Sequence, residues 1–312
     1  VTSKPPSEPD FTRQGASPEL APFVELSTAE NHPELRARIA AIVDPHELAY
    51  MADTFITDSY GNYLLGLGDA ATGLDLAFAA SFRTHLAWRA RTGQRAQYVT
   101  AAQWKAFREH LVLSEQALFA LVAREPDNHL AWVFRLLNAR GLELGQSEAQ
   151  RRYAAAAKLV PHNTLAEQTY LLQLLPKWSG SWPQAHEFAQ ECSRSSPPGS
   201  LNSEAVATYH VERMIDADGG RQAAVLREPG VADELMAAAR HSVLHPEFGR
   251  PLGWVPALSK FAMLFSVAGD YASAALFFRA MGPFGSLRVW TWISDDPAKT
   301  FVIHRDRALA KG

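Results

Sequence analysis

What the chain has little of narrows its chemistry. Cys192 is its one cysteine, so no intramolecular disulfide can form, and neither a disulfide framework nor a cysteine-rich zinc site fits. A dominant charge is missing too. The formal net charge is −3, too weak a field to drive general nucleic-acid binding. No run of about 18 uninterrupted apolar residues occurs, so no transmembrane helix is expected. The opening residues, Val1 to Asp10, hold no apolar stretch of the kind a secretory signal needs. The expectation is a cytoplasmic protein with no membrane partner. Phosphate-binding glycine loops and nucleophile elbows are absent, and Gly66-Leu-Gly68 lacks both a preceding strand and a third glycine. Alternating strand patterns closed by Asn-Gly turns are missing as well. No cofactor or metal is expected.

What is present is helical. The apolar share is 47%, ample for a core, and Ala, Leu, Glu, Arg and Gln dominate, all good helix formers. Between Phe107 and Ala123, residues Leu111, Ser114, Leu118, Leu121 and Val122 recur at three- and four-residue steps, the spacing of one buried helix face. Pro126-Asp-Asn128-His-Leu130-Ala131 returns as Pro161-His-Asn163-Thr-Leu165-Ala166, about 35 residues later, and Pro197 follows at a similar interval. Each proline closes a helix, and each asparagine can cap the next by accepting from free backbone N–H groups.

The run Leu258-Ser-Lys-Phe261-Ala262-Met-Leu-Phe265-Ser-Val-Ala-Gly269-Asp270-Tyr271-Ala-Ser-Ala274-Ala-Leu-Phe-Phe278 resembles one tetratricopeptide repeat. Ala262 and Ala274 are small where two helices cross, Gly269-Asp270 makes the turn, and aromatics fill the adjacent holes. The expected fold is all-α, a tetratricopeptide-like α-solenoid of degenerate antiparallel helix pairs. Residues 1–31, rich in Pro, Ser, Glu and Thr, read as a disordered tail. Residues 32–312 read as a single helical-repeat domain: N-terminal helices over 32–125, two repeats over 126–198, irregular helical sequence over 199–250 with a flexible Asp216-to-Gly220 turn, and a C-terminal repeat and tail over 251–312.

Longer words recur in order: Ala87-Trp88-Arg89-Ala-Arg91-Thr92, Trp104-Lys-Ala-Phe107, and Pro176-Lys177-Trp178-Ser179-Gly180-Ser181. Residues 33 to 290 are similar to an uncharacterised family of bacterial helical-repeat proteins, whose words are Trp-x-x-Arg-Gly, Trp-x-x-Phe and Pro-Lys/Arg-Trp-Gly-Gly-Ser. Thr92 stands where that pattern has glycine, and Ser179 replaces the first glycine of the pair. The resemblance implies fold and carries no activity.

Charge is arranged in blocks. Asp44, Glu47, Asp53, Asp58, Asp69 and Asp75 precede Arg83, Arg89, Arg91, Arg95, Lys105 and Arg108, with Trp88, Tyr98 and Trp104 among the latter. Two readings follow: neighbouring helices whose charges neutralise one another, or an anion site in which arginines fork onto phosphate or carboxylate beside aromatics. Trp88, Arg89, Arg91, Lys177 and Trp178 are the ligand candidates on the second reading. In tetratricopeptide register, the groove formed by first helices would include Val133, Leu137, Gln168, Leu172, Ser259 and Met263, open to a partner or covered by the N-terminal helices. His241 and His245, one turn apart, can bind a metal, although a helix-end role suits them better. The leading functional expectation is a scaffold that engages a peptide or protein. The alternative is an enzyme on an all-α scaffold, acting on an anionic small molecule near Arg89 and Arg91. No residue stands out as nucleophile or base, so catalysis stays open.

Overall fold

The computed structural model describes residues 8–94, 96–217 and 220–312. Arg95 and the Asp218-Gly219 pair of the expected turn therefore lie outside the described residues. The protein is all-α, 73% helical with 18 α-helices and no strand among those residues. None of these helices is long and apolar enough to cross a membrane. The described residues fall into two compact units, residues 22–185 and residues 8–21 with 186–312.

In the 22–185 unit, consecutive helices pack on one another: Asp58–Leu65 on Gly73–Arg91, that helix on Ala101–Arg124, and His129–Gly141 on Gln146–Leu159. Thr164–Gln173 packs on both members of the preceding pair. Short connections make such neighbours antiparallel hairpins. The recurring asparagines do what their spacing predicts. Asn128 Oδ1 accepts from the Ala131 amide at 3.1 Å and Asn163 Oδ1 from the Ala166 amide at 3.0 Å. Each cap satisfies an N–H that the helix start leaves without a partner. Thr72 with Asp75, and Thr100 with Gln103, form capping boxes at the two longest helices, where side chain and backbone satisfy each other reciprocally.

The core of this unit is partly polar. Thr84, Ser114 and Asn138 form a fully buried triangle of hydrogen bonds, 2.9 to 3.1 Å on each side. Glu115 accepts from Arg135 at 3.0 Å and from both terminal nitrogens of Arg152 at 2.8 and 3.0 Å. Glu148 takes Arg152 Nε at 2.7 Å and Arg151 at 2.7 Å.

In the other unit, Trp254–Ala268 and Tyr271–Met281 form the C-terminal hairpin. Gly269 turns it in the left-handed region (φ 86°) and Asp270 caps the second helix through the Ser273 amide at 3.0 Å. Phe277 stacks on Phe261 and Phe265 with centroids 5.3 and 5.5 Å apart, while Ala262 and Ala274 are fully buried. Pro297–Lys311 closes against Tyr271–Met281.

The segment expected as tail differs from that expectation from residue 8 onward. It holds the helices Arg13–Ala16 and Ala21–Thr28. Asp10 exchanges backbone hydrogen bonds with Pro283 and Gly285 at 2.8 and 3.0 Å, Phe11 packs edge-on to Phe301, and the Trp254 indole donates to the Ala16 carbonyl at 3.0 Å. An irregular strap held by backbone bonds and two or three anchors leaves no hydrophobic period to read.

Candidate functional site

The three sequence words meet in space. Trp88, near the end of Gly73–Arg91, packs edge-on to Phe107 at 5.0 Å and to Trp178 at 6.1 Å. Trp104 packs edge-on to Phe107 at 5.7 Å. Arg91 lies over Trp88 and Trp104 at 6.0 and 5.4 Å, and Arg140 over Trp88 and Trp178 at 5.0 and 5.7 Å. Guanidinium faces against indoles are favourable because the ring quadrupole attracts the cation. Helical spacing explains the geometry, since Trp88 and Arg91, and Trp104 and Phe107, are each three residues apart and share a face. Gly141 completes the node, because a Cβ there would come within 2.5 Å of Leu111 Cδ1 and 2.9 Å of Phe107 Cζ.

Both departures from the glycine pattern fall on positions that want glycine. Thr92 has φ 66° and Ser179 has φ 73°, the left-handed region that a Cβ disfavours. Gly180 is required for a different reason: a Cβ there would sit 1.9 Å from the Leu174 carbonyl oxygen.

The guanidiniums chosen from sequence are occupied. Arg89 is paired in a two-pronged contact with Asp58 at 2.8 and 3.0 Å, which holds the Asp58 carboxyl below its ordinary range, chiefly through the hydrogen bond. Arg91 NH1 donates to the carbonyls of Thr92 and Gln94 at 3.0 and 3.1 Å, pinning the turn that follows its helix. The acidic and basic helices do pack together, and Arg89–Asp58 joins the two charge blocks; Asp75 is taken instead by Arg36 at 2.7 and 2.9 Å. Buried donors in the node give no hydrogen bond within the protein, Trp88 Nε1 and Arg91 Nε among them. Lys177 is exposed beside half-buried Trp178.

The first-helix groove is corrected. Met263, Ser259 and Val133 are fully buried and offer nothing to a partner. Leu137, Gln168 and Leu172 are half-buried. The N-terminal helix Pro45–Thr54 packs on Thr164–Gln173, and the His129 ring lies 3.2 Å from the Pro45 carbonyl oxygen. N-terminal sequence thus covers part of the face that a partner was expected to use. His241 and His245 make separate local contacts, with the Ser196 carbonyl and the Glu247 amide. No group of three or more His, Cys, Asp or Glu is placed to hold a metal among the described residues.

Sequence reading missed a second aromatic arrangement. Phe119, Arg135, Trp132 and Arg151 alternate in a row across three consecutive helices, with each guanidinium 5.3 to 5.4 Å from its ring. Trp132 is fixed by an indole hydrogen bond to the Pro126 carbonyl at 2.9 Å. Phe119 is 64% exposed at one end of the row. Its signal was Phe119 breaking the buried three-and-four pattern of its helix. No family model, curated protein or solved structure matches the chain.

Proposed function

We propose that the chain is a scaffold of tetratricopeptide-like helix pairs that binds a protein or peptide partner through the Phe119–Arg135–Trp132–Arg151 row. Exposed Phe119 at the end of a rigid aromatic–guanidinium row carries this reading. Burying an aromatic of that size is a main source of interface energy, and Trp, Phe and Arg are enriched where partners meet. Arg135 and Arg151 are held in place by Glu115 and Glu148, so a partner meets a surface already ordered, at low entropic cost. The half-covered first-helix face supports moving the contact surface away from Leu137, Gln168 and Leu172.

Affinity capture with the parent chain, Phe119→Asp and a Val43→Asp control tests it. Val43 is 93% exposed and lies outside the row. A specific partner retained by the parent and the control, and lost with Phe119→Asp, supports the reading; retention by all three sinks it.

One observation favours the second reading, an enzyme acting on an anionic small molecule near Arg91: buried donors such as Trp88 Nε1 and Arg91 Nε. An acceptor ligand would satisfy both, at sites where an orphaned donor costs about 1–3 kcal/mol. Arg89 is not part of that reading, because Asp58 holds it. Small carboxylates and phosphates that raise the melting temperature of the parent but not of Trp88→Phe would carry it; no shift with either variant removes it.

A further inference from the structure

The unit containing residues 186–312 builds a carboxylate with one oxygen saturated and the other without a hydrogen bond among the described residues. Glu234 Oε1 receives Gln190 Nε2 at 2.7 Å, His186 Nε2 at 2.9 Å and His210 Nε2 at 3.2 Å. These donors come from two further helices, Trp182–Ser195 and Glu204–Asp216. His210 is 1% exposed. Three donors on one oxygen hold the carboxylate in one orientation. Among the described residues nothing donates to Oε2, and Glu234 lines a cleft of about 410 Å³ with Gln190, Ser193, Arg194, Ala237, Ala238 and His241.

The other polar groups of the cleft present acceptors. A carboxylate only accepts, so Gln190 must turn its NH2 to Glu234 and its oxygen remains to accept. His241 Nε2 contacts the Ser196 carbonyl at 3.0 Å. A carbonyl also only accepts, so Nε2 carries the proton and, in the neutral ring, Nδ1 holds a lone pair. Ser193 is spent on Ser203 at 2.9 Å. The one cation on the wall, Arg194, is neutralised by Glu187 and Glu191 at 2.8 and 2.9 Å. An anion would meet Glu234 and two further carboxylates against a single paired guanidinium. A donor-only cation meets the reverse.

We propose that the Glu234 cleft is a binding site for an alkylammonium group. Its three N–H bonds need acceptors, and Glu234, Gln190 and His241, which line the cleft, can each supply one; the cleft is of the size that takes a small ligand, about 300–1,000 Å³. Glu234 is held ionised for this task. Burial alone would raise its pKa, but the histidine hydrogen bonds outweigh that and bring it to about 2. The same ammonium chemistry is offered by a free amine and by a lysine side chain. The proposal does not rest on the partner-binding reading above.

Calorimetric titration of the full chain tests it with two probes, cadaverine and Nα-acetyl-lysine N-methylamide. Saturable one-to-one binding of either supports the site; the first alone assigns it to free amines, the second to lysine side chains. Glu234→Gln keeps the shape and should weaken binding about tenfold or more, the worth of a charge-assisted hydrogen bond. Arg194→Gln removes the cation from the wall and frees the Glu187 and Glu191 carboxylates, so it should tighten binding severalfold; at an exposed position, it keeps a readout even where Glu234→Gln folds poorly. No saturable binding of either probe up to about 20 mM, a free energy of roughly −2 kcal/mol, overturns the proposal. So does an affinity unchanged in either variant.

Discussion

The C-terminal hairpin and the helices of residues 73–159 solve the same packing problem with different chemistry. The hairpin sets alanines at the crossing and stacks Phe277 on Phe261 and Phe265. Residues 73–159 bury a hydroxyl–amide triangle, a Glu115 carboxylate clasped by two guanidiniums, and indoles faced by arginines. An apolar core tolerates sliding and repacking while volume is kept. A polar core does not, because every displaced donor is left unsatisfied in a low-dielectric interior. The second region is therefore the more strongly fixed in register, which suits it to display a rigid surface row.

The largest effects should separate the two regions by their repair. Glu115→Ala takes from Arg135 and Arg152, 7% and 3% exposed, the carboxylate they share and leaves Arg152 to Glu148, and should cost about 3–5 kcal/mol, as breaking one member of a buried ionic cluster does. Phe261→Ala or Phe278→Ala should cost a similar amount, about 3–5 kcal/mol, by emptying an aromatic site. Urea melts distinguish the mechanisms. Phe261→Leu should recover much of its loss, whereas Glu115→Gln, equally close in shape, should recover little because a neutral amide cannot offset the Arg135 charge and leaves Arg152 to Glu148. Equal recovery would erase the contrast.

Acid sharpens it further. Glu148 is brought to about 2 mainly by its hydrogen bond to Arg151, and Glu234 to about 2 by histidines acting against burial. Both lie below their ordinary 4.5, so the unfolded chain takes up these protons first. Their stabilisation is complete above about pH 5 and is lost as pH falls towards 2. Stability measured across that window should drop, and Glu148→Gln or Glu234→Gln should each flatten the drop by an amount on the order of 1–3 kcal/mol. A curve unchanged by both would remove these pairs as the cause.

The hairpin was legible in sequence because its contacts are local: Ala262, Gly269, Ala274 and Phe278 lie within 17 positions of one another. The caps at Asn128 and Asn163 were legible for the same reason, each satisfied three residues on. The polar networks were not. Thr84 meets Asn138 across 54 positions and Arg152 meets Glu115 across 37, and no periodicity records such a partnership. The Trp88 node lay between these cases. Its words could be read individually, but their convergence, and the entry of Arg140, depend on how three helices cross. The 8–21 strap was invisible because backbone bonds hold it. That Arg91, a ligand candidate, also pins the turn after its helix was not legible, because its acceptors are carbonyls, which every residue carries.

A smaller effect of opposite sign is expected at the node. Thr92 pairs φ 66° with ψ 174°, a region almost reserved for glycine and costly for a β-branched residue by about 1–3 kcal/mol. Thr92→Gly relieves that strain but loses the contact from the Gln94 amide, 3.3 Å from Oγ1, and gives the unfolded chain more freedom. A net gain of about 0.5–1.5 kcal/mol should remain. Gly180→Ala, driven into the Leu174 carbonyl, should destabilise. A melt in which Thr92→Gly loses stability would mean that the turn is held by Thr92 and not strained by it.

The smallest effect belongs to the pair that the charge blocks made most prominent. Arg89 and Asp58 meet in good two-pronged geometry, yet their side chains are 61% and 60% exposed. Water competes for both partners and salt screens their attraction, so such a pair contributes about 0.2–1 kcal/mol. Arg89→Gln should therefore cost less than about 1 kcal/mol, and the cost should vanish near 1 M salt, where the screening length is only about 3 Å. Glu115→Ala should keep most of its penalty at the same ionic strength, because its guanidiniums are out of reach of mobile ions. Paired urea melts at low and high salt read both variants at once. An Arg89→Gln loss above about 2 kcal/mol that persists in high salt would exceed what an exposed pair can supply. It would make the Asp58–Arg89 contact part of the buried node, with the acidic helix holding Trp88 in place.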